Sequence, residues 1–404
     1  MSEPDGVVLV IGCGMRPYRE YLLASAAGRH PLWMFTADEP TWQSGYLAGA
    51  TVVDLMDRDA VLAAARELAA AVPVVGVLSW DEALIVTTAH VAADLGLPGA
   101  GTGAIEGCRD KFHSREVLTA AGVDQPRFAF VRDEAHAVAA ADAIGYPVIV
   151  KPRGLGASIG VVLAEDADAV ARAFHAAEES SLIGAKAYQG GALVEEYLTG
   201  PEISVDGAVV AGAYTPLFVA RKTIGMHPYF EELGHVVSAD DDLLDDPGLR
   251  ATLAAAHKAI EFDHGVTHTE LKLTPRGPVI VEINGRLGGD LIPLLARHAT
   301  GVEPGAVAVD VAMGRTPVVP EAREPRSVGV RFAYPAADCV VAAVHVPDDG
   351  VVAAAALVEP GTEMRLPPAA FISRHAYVVC AAADPDECAA LLDKALSEVH
   401  LSTA

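Results

Sequence analysis

Positive charge is scarce in this sequence. Its 404 residues carry 29 Lys+Arg against 54 Asp+Glu, a formal net charge of -25 with histidine neutral. Repulsion of that size excludes a general binder of the nucleic-acid phosphate backbone. A local pocket for a small anion stays open. Cysteine is sparse as well: Cys13, Cys108, Cys339, Cys380 and Cys388 are scattered, odd in number and contain no CxxC pair, which argues against a disulfide framework or zinc site. Long apolar runs are missing. Val7 to Ile11, after the polar opening MSEPDG, is far too short for a signal h-region or a membrane span, so a cytoplasmic protein is expected. The remainder is ordered globular material, 51% hydrophobic and 21% charged, long enough for roughly two to four domains.

From Val7 to about Pro98, short β-rich runs (VVLVI, PLWMF, VVGVLS) alternate with alanine-rich helical stretches, which predicts βαβ units on a parallel sheet. Ligands of such sheets gather at the carboxyl ends of the strands, here near Gly12–Met15, Thr36–Asp38 and Trp80–Glu82. Gly12-Cys13-Gly14 begins like a dinucleotide fingerprint. Its third glycine position is Pro17, however, so a tight turn ending the first strand is expected instead.

Asp110 is a natural N-cap for a helix that Gly122 closes, and Lys111 and Arg115, four apart, share one face of it. Alone, that is a solvated face. The run VIVKPRGLGASIGV is more informative: a buried strand delivers Lys151 at its end, and a loop with Gly154, Gly156, Ser158 and Gly160 leads to another strand. Glycines let backbone N–H groups approach phosphate oxygens, and a lysine adds point charge. The loop is no Walker A motif, and a solvated glycine hairpin stays an alternative. A helix over about 166–184 is followed by LVEEYLTGPEISVDG, read as two strands joined by a Gly-Pro turn.

The strongest signal is THTELKLTPRGPVIVEINGR, from Thr267 to Arg286. A hairpin with the loop Pro275-Arg276-Gly277 sets Thr274 opposite Pro278 and Glu270 opposite Glu282. Facing carboxylates, with Cβ atoms about 5 Å apart, repel unless a cation lies between them. Alternation places Leu271, Leu273, Val279, Val281 and Ile283 on a core face and His268, Glu270, Lys272, Glu282 and Asn284 on the other. Hard oxygen donors on Glu270, Glu282 and Asn284 suit Mg²⁺ bound with substrate phosphates, and Arg286 follows where it can reach a carboxylate or phosphoryl group.

In their order these segments resemble the ATP-grasp superfamily, and within it the carboxylate–amine (L-amino acid) ligases. The resemblance implies α/β and α+β domains: an N-terminal parallel-sheet (pre-ATP-grasp) domain at 1–108, a central subdomain with the flap at 109–187, an antiparallel-sheet subdomain with the metal site at 188–324, and a small C-terminal lid at 325–404. It implies that Lys111 and Lys151 hold the phosphates of ATP, that Gly154, Gly156 and Ser158 belong to a mobile flap, that Glu195, Glu196 and Leu198 form the hinge reading adenine, partly through backbone groups, and that Glu202 takes the ribose hydroxyls. Glu270, Glu282 and Asn284 match ligands of Mg²⁺ or Mn²⁺, two ions, and Arg286 matches the arginine that stabilises an acyl phosphate. Phe230-Glu-Glu232-Leu-Gly234-His235 resembles the FxExGH stretch of this group, in which Glu232 and His235 face the substrates; a polar surface loop is the plainer alternative. The expected reaction joins a carboxylate and an amine, with amino acids or similar carboxylates as substrates and a homodimer left open. The competing expectation is an ATP-grasp enzyme of purine-biosynthesis or carboxylase type that activates formate or bicarbonate.

Overall fold

In the computed structural model, which describes residues 6–320 and 325–404, the first sheet is parallel. Strands β1 (Val7–Ile11), β2 (Leu32–Thr36), β3 (Gly49–Val52) and β4 (Val74–Leu78) lie in the order β3-β2-β1-β4. Helices cover both faces: Val8 and Val10 pack on Leu22, Leu23 and Ala26, while Leu9 and Ile11 pack on Val61 and Ala65. This is why β1 is apolar throughout rather than alternating. Gly12 and Gly14 take left-handed φ of 69° and 75°, and Pro17 sits in the first turn of the helix Arg16–Arg29. The turn is therefore tight and proline-started, as its failed fingerprint suggests.

A second sheet combines β5 (Phe128–Val131), β6 (Val148–Lys151), β7 (Val162–Ala164) and β8 (Ala192–Glu196) in the order β5-β8-β6-β7. It packs on the helices Glu134–Ile144 and Ala167–Ser181, the latter capped by Asp166. Because β8 pairs with β5 and β6, this sheet continues beyond residue 187 to Glu196.

The remaining chain is dominated by an antiparallel sheet. It contains β9 (Glu202–Val210), β10 (Ala213–Gly225), β11 (Glu231–Ser238), β12 (Gly265–Thr274), β13 (Gly277–Asn284) and β14 (Ser327–Ala333). After β15 (Cys339–His345), the strands β16 (Ala353–Ala356), β17 (Glu363–Met364), β18 (Ala376–Ala382) and β19 (His400–Thr403) complete the chain. The large sheet runs β13-β12-β9-β10-β11-β14-β18-β16, and β17-β15-β19 forms a small separate one. Pairing of β14 with β11 thus carries the sheet across residue 325 into the C-terminal segment.

The hairpin β12–β13 pairs Glu270 with Glu282 as expected, but by a different route. Thr274 pairs with Gly277, leaving a two-residue turn, and the extra residue appears as a bulge after Glu270. That bulge moves Val281 off the core face, and it lines a cleft instead. Ile280 takes its place in the core with Leu271, Ile283, Ile203 and Val205, all packed on Leu249 and Leu253 of the helix Pro247–Ala259.

The stretch around Glu232 and His235 is no surface loop. It lies in β11, between β10 and β14, in the middle of the sheet.

Leu271 is fully buried in this core, so Leu271→Ala is expected to lower unfolding stability by about 2–5 kcal/mol. Denaturant titration checks this, and a loss below about 1 kcal/mol would contradict the packing described.

Candidate active site

A cleft of about 890 Å³ opens between the second sheet and the large one, lined among others by Lys111, Lys151, Gly156, Ser158, Glu202, Glu270, Glu282, Asn284 and Arg286. Residues from four separate stretches of sequence therefore meet in one place. Gly154 does not line it, but its lack of a side chain is needed: a Cβ there would lie 2.4 Å from Cβ of Tyr188. In the loop beyond, Ala157 and Ser158 both take φ of 56°. Consecutive left-handed non-glycine residues are strained, a feature that concentrates at functional loops.

The helix Lys111–Ala120 starts as expected, with Asp110 accepting from the N–H groups of Phe112 and His113. Its cationic face is not solvated. Lys111 and Arg115 are buried, and Lys111 Nζ donates to Glu282 at 2.9 Å and to the Leu155 carbonyl in the glycine loop at 2.5 Å. Arg115 reaches Glu195 at 2.8 Å, and Lys151 lies 2.8 Å from the other oxygen of the same carboxylate. Burial pushes the Glu195 carboxyl up, but Arg115 and Lys151 outweigh it and hold it down at about 2. Burial likewise pulls the Lys151 ammonium down, with Glu195 opposing.

These contacts show what the two hinge carboxylates hold. The carboxylate of Glu195 is committed to positioning Lys151 and Arg115, and that of Glu196 faces Arg276 at 3.2 Å and the Arg127 N–H at 3.1 Å. Both residues nevertheless line the cleft, together with Leu198.

Glu202 is held by two lysines, Lys222 at 2.9 Å and Lys272 at 3.0 Å. Lys222 is one residue that sequence reasoning passed over. Its side chain is only 2% exposed, yet Nζ also lies 3.1 Å from Glu232 and 3.0 Å from Glu270. Burial lowers an ammonium pKa, but the three carboxylates outweigh it and raise Lys222 well above its ordinary value. The signal was present: in β10, Lys222 alternates with Phe218 and Ala220, which are fully buried, and a lysine on a buried face needs counterions.

Glu270 and Glu282 fit a divalent cation. They sit opposite one another on the cleft side of the ladder, where two carboxylates are unfavourable without a cation. Each keeps 17–19% of its side chain exposed while one lysine steadies it from the side. With the Asn284 side chain beside them, this is a hard oxygen donor set.

Arg286 pairs closely with Glu82, which Arg109 also reaches at 2.6 Å. Burial raises the Glu82 carboxyl, and the two guanidiniums outweigh it, holding it at about 2. Of the three strand ends expected to attract ligands, the one near Trp80–Glu82 thus reaches the site, through Glu82. Beyond Arg286 a second pocket of about 500 Å³ shares Ala157, Glu232, Glu270 and Arg286 with the cleft.

Glu232 and His235 are three apart on β11, a spacing that sends side chains to opposite faces of a regular strand. A bulge at Leu233, between the pairs Thr223–Gly234 and Ile224–Glu232, brings them to the same face. His235 Nε2 then lies 3.0 Å from Glu232. His235 itself is fully buried, so it supports Glu232 rather than facing the pocket.

Residues 144–293 match the ATP-grasp domain model, and residues 35–99 match that of the ATP-grasp N-terminal domain. The chain belongs to the ATP-grasp family, in its carboxylate–amine ligase group. It is 29% identical over 330 residues to an alanine–anticapsin ligase of Bacillus subtilis, covering 71% of this chain and 68% of that one. To a phosphoribosylamine–glycine ligase of Mycobacterium bovis it is 30% identical over 304 residues, covering 70% of this chain and 68% of the relative. The chain therefore aligns with about two thirds of each relative's length. The crystal structure of an L-amino acid ligase from Bacillus licheniformis superposes with a TM-score of 0.81 at 20% identity, over 99% of this chain and all of that one. Among the described residues, no helix of this ligase is long and apolar enough to cross a membrane.

Against burial, Arg115 and Lys151 hold the Glu195 carboxyl at about 2, below its ordinary value of 4.5. Its stabilising contribution is therefore present above pH 4.5 and lost as pH falls toward 2. Glu195→Gln is expected to be less stable than the parent at pH 7 and to lose less stability between pH 4.5 and 2. Thermal unfolding at stepped pH checks this; parallel curves for the two proteins would contradict it.

Proposed function

We propose that the cleft binds ATP and that the adjoining pocket binds the amino acid whose carboxylate ATP activates. The supporting observation is the meeting of the two spaces at Arg286 and the glycine loop, through the residues they share. A substrate carboxylate lying against Arg286 faces the end of the cleft lined by Lys111, Lys151, Glu270 and Glu282.

In the proposed reaction a carboxylate oxygen attacks the γ-phosphorus and ADP leaves with the bridging oxygen, giving an acyl phosphate. The amine of a second amino acid attacks the acyl carbon and phosphate departs. The nitrogen loses two protons in forming the amide, one to the departing phosphate and one to solvent. Lys111 and Lys151 hold the phosphate oxygens, Arg286 neutralises the carboxylate and then the acyl phosphate, and Glu202 is placed for the ribose hydroxyls. Glu270, Glu282 and Asn284 would hold a divalent ion, whose charge would further neutralise the phosphates. The loop carrying Ala157 and Ser158 excludes water that would hydrolyse the intermediate. Glu232 receives a substrate ammonium, and His235 steadies Glu232.

Formate or bicarbonate activation fits less well. Neither acid has an ammonium to engage Glu232, which lines the adjoining pocket.

ADP release is expected to depend on the presence of two amino acids, and Glu282→Ala and Arg286→Ala are each expected to lower it by about 100-fold or more. A coupled ADP assay with a panel of amino-acid pairs, with product masses read in parallel, checks this. Full activity in either variant would refute the site assignment.

A further inference from the structure

The second pocket has an outer wall that the proposed reaction leaves without a role. It is made by Asp290, in the loop after Arg286, and by Arg374, from the segment before β18. Asp290 and Leu291 take left-handed φ of 51° and 66° immediately before the helix Ile292–Thr300. Two such non-glycine residues in succession persist only where surrounding contacts fix them. Here the contacts are ionic: Arg374 Nη1 and Nη2 donate to the two oxygens of Asp290 at 2.6 and 2.7 Å.

Every side of Arg374 is engaged. Nε donates to the Tyr334 hydroxyl at 2.9 Å, and Nη2 also donates to the Glu232 carbonyl at 3.2 Å. The guanidinium carbon lies 3.8 Å from the centre of the Phe332 ring. Its side chain is 4% exposed, against 23% for Asp290. Arg374 is therefore a fixed brace, and Asp290 is the group the wall offers to a ligand. A carboxylate offers only acceptors, with about four lone-pair directions; two are taken by Arg374 and one faces His235 Nε2 at 3.4 Å.

Glu232 stands next to it. Ligand atoms of Glu232, His235 and Asp290 all lie within 4.8 Å of one another. Two oxygens that each accept a hydrogen bond of about 2.8 Å from one tetrahedral nitrogen stand roughly 4.6 Å apart. His235 is buried beneath the pair and bonded to both. Arg374 already occupies the Asp290 carboxylate and Lys222 the Glu232 carboxylate, which disfavours a divalent metal in this cluster.

We infer that Glu232 and Asp290 together cradle the α-ammonium of the amino acid whose carboxylate is activated, with Asp290 as a binding residue and Arg374 as its positioning residue. The inference rests on the proposed use of this pocket for that substrate. An ammonium held between two carboxylates stays protonated and is no nucleophile. The amine of the second substrate is then the one free to attack, which sets the direction of coupling.

The test compares an amino acid with its desamino analogue, L-valine and isovalerate for instance, as the carboxylate substrate at saturating second amino acid, read as ADP formation. The wild-type protein is expected to favour the amino acid in kcat/KM. Asp290→Asn is expected to shrink the ratio of the two kcat/KM values at least ten-fold, mostly through KM of the amino acid. An unchanged ratio in Asp290→Asn overturns the inference. ATP affinity of the variant is measured alongside. Should Asp290→Asn lose it, Asp290→Glu decides: keeping the charge, it is expected to retain the ratio within about three-fold, and losing it overturns the inference. If no amino-acid pair supports ADP formation in the wild-type protein, the proposed function itself fails. A wild-type preference for the amino acid that Asp290→Asn leaves intact removes the role of Asp290 alone.

Discussion

The ammonium of Lys222 lies 2.9–3.1 Å from carboxylates on three strands: Glu202 of β9, Glu232 of β11 and Glu270 of β12. Removing one partner of a buried charge cluster leaves the others uncompensated in a poorly solvating interior, which is why such clusters tolerate little rearrangement. Each of the three acids has a different proposed partner: the ribose, the substrate ammonium and the divalent ion. One buried cation thus fixes the spacing between three binding tasks. The same pattern recurs along the cleft, where Glu195 sets Lys151 and Arg115, and Glu82 sets Arg286 and Arg109.

The sequence is acidic overall, yet its site depends on a minority of cations drawn from distant positions. Lys111, Lys151, Lys222, Arg286 and Arg374 come from five segments, and each is buried or nearly so against carboxylates. Net charge governs long-range behaviour and excludes polyanions. It carries no information about a pocket whose charges are paired inside the fold.

The hairpin β12–β13 was legible because period-two alternation is a local rule, and the pairing of Glu270 with Glu282 follows from it. Its bulge was not. An extra residue in the turn and an extra residue in the strand give the same pairing at Glu270, and only packing decides that Ile280 rather than Val281 enters the core. The bulge at Leu233 was hidden for the same reason, so Glu232 and His235 could be matched to a motif without any account of how they share a face. Asp290 and the ionic role of Glu82 were missed because their partners, Arg374 and Arg286, lie 84 and 204 residues away. No window on the sequence contains both members of those pairs. The N-terminal sheet, by contrast, is built from adjacent βαβ units whose apolar runs are visible one at a time.

The central claim is activation of a carboxylate by transfer of the γ-phosphoryl group, at the point where the two pockets meet. Oxygen transfer tests it most directly. With a carboxylate substrate labelled with ¹⁸O in both oxygens, the account predicts one labelled oxygen in each inorganic phosphate released and none in the adenine nucleotide. Label appearing in AMP, or unlabelled phosphate formed together with amide, would contradict it.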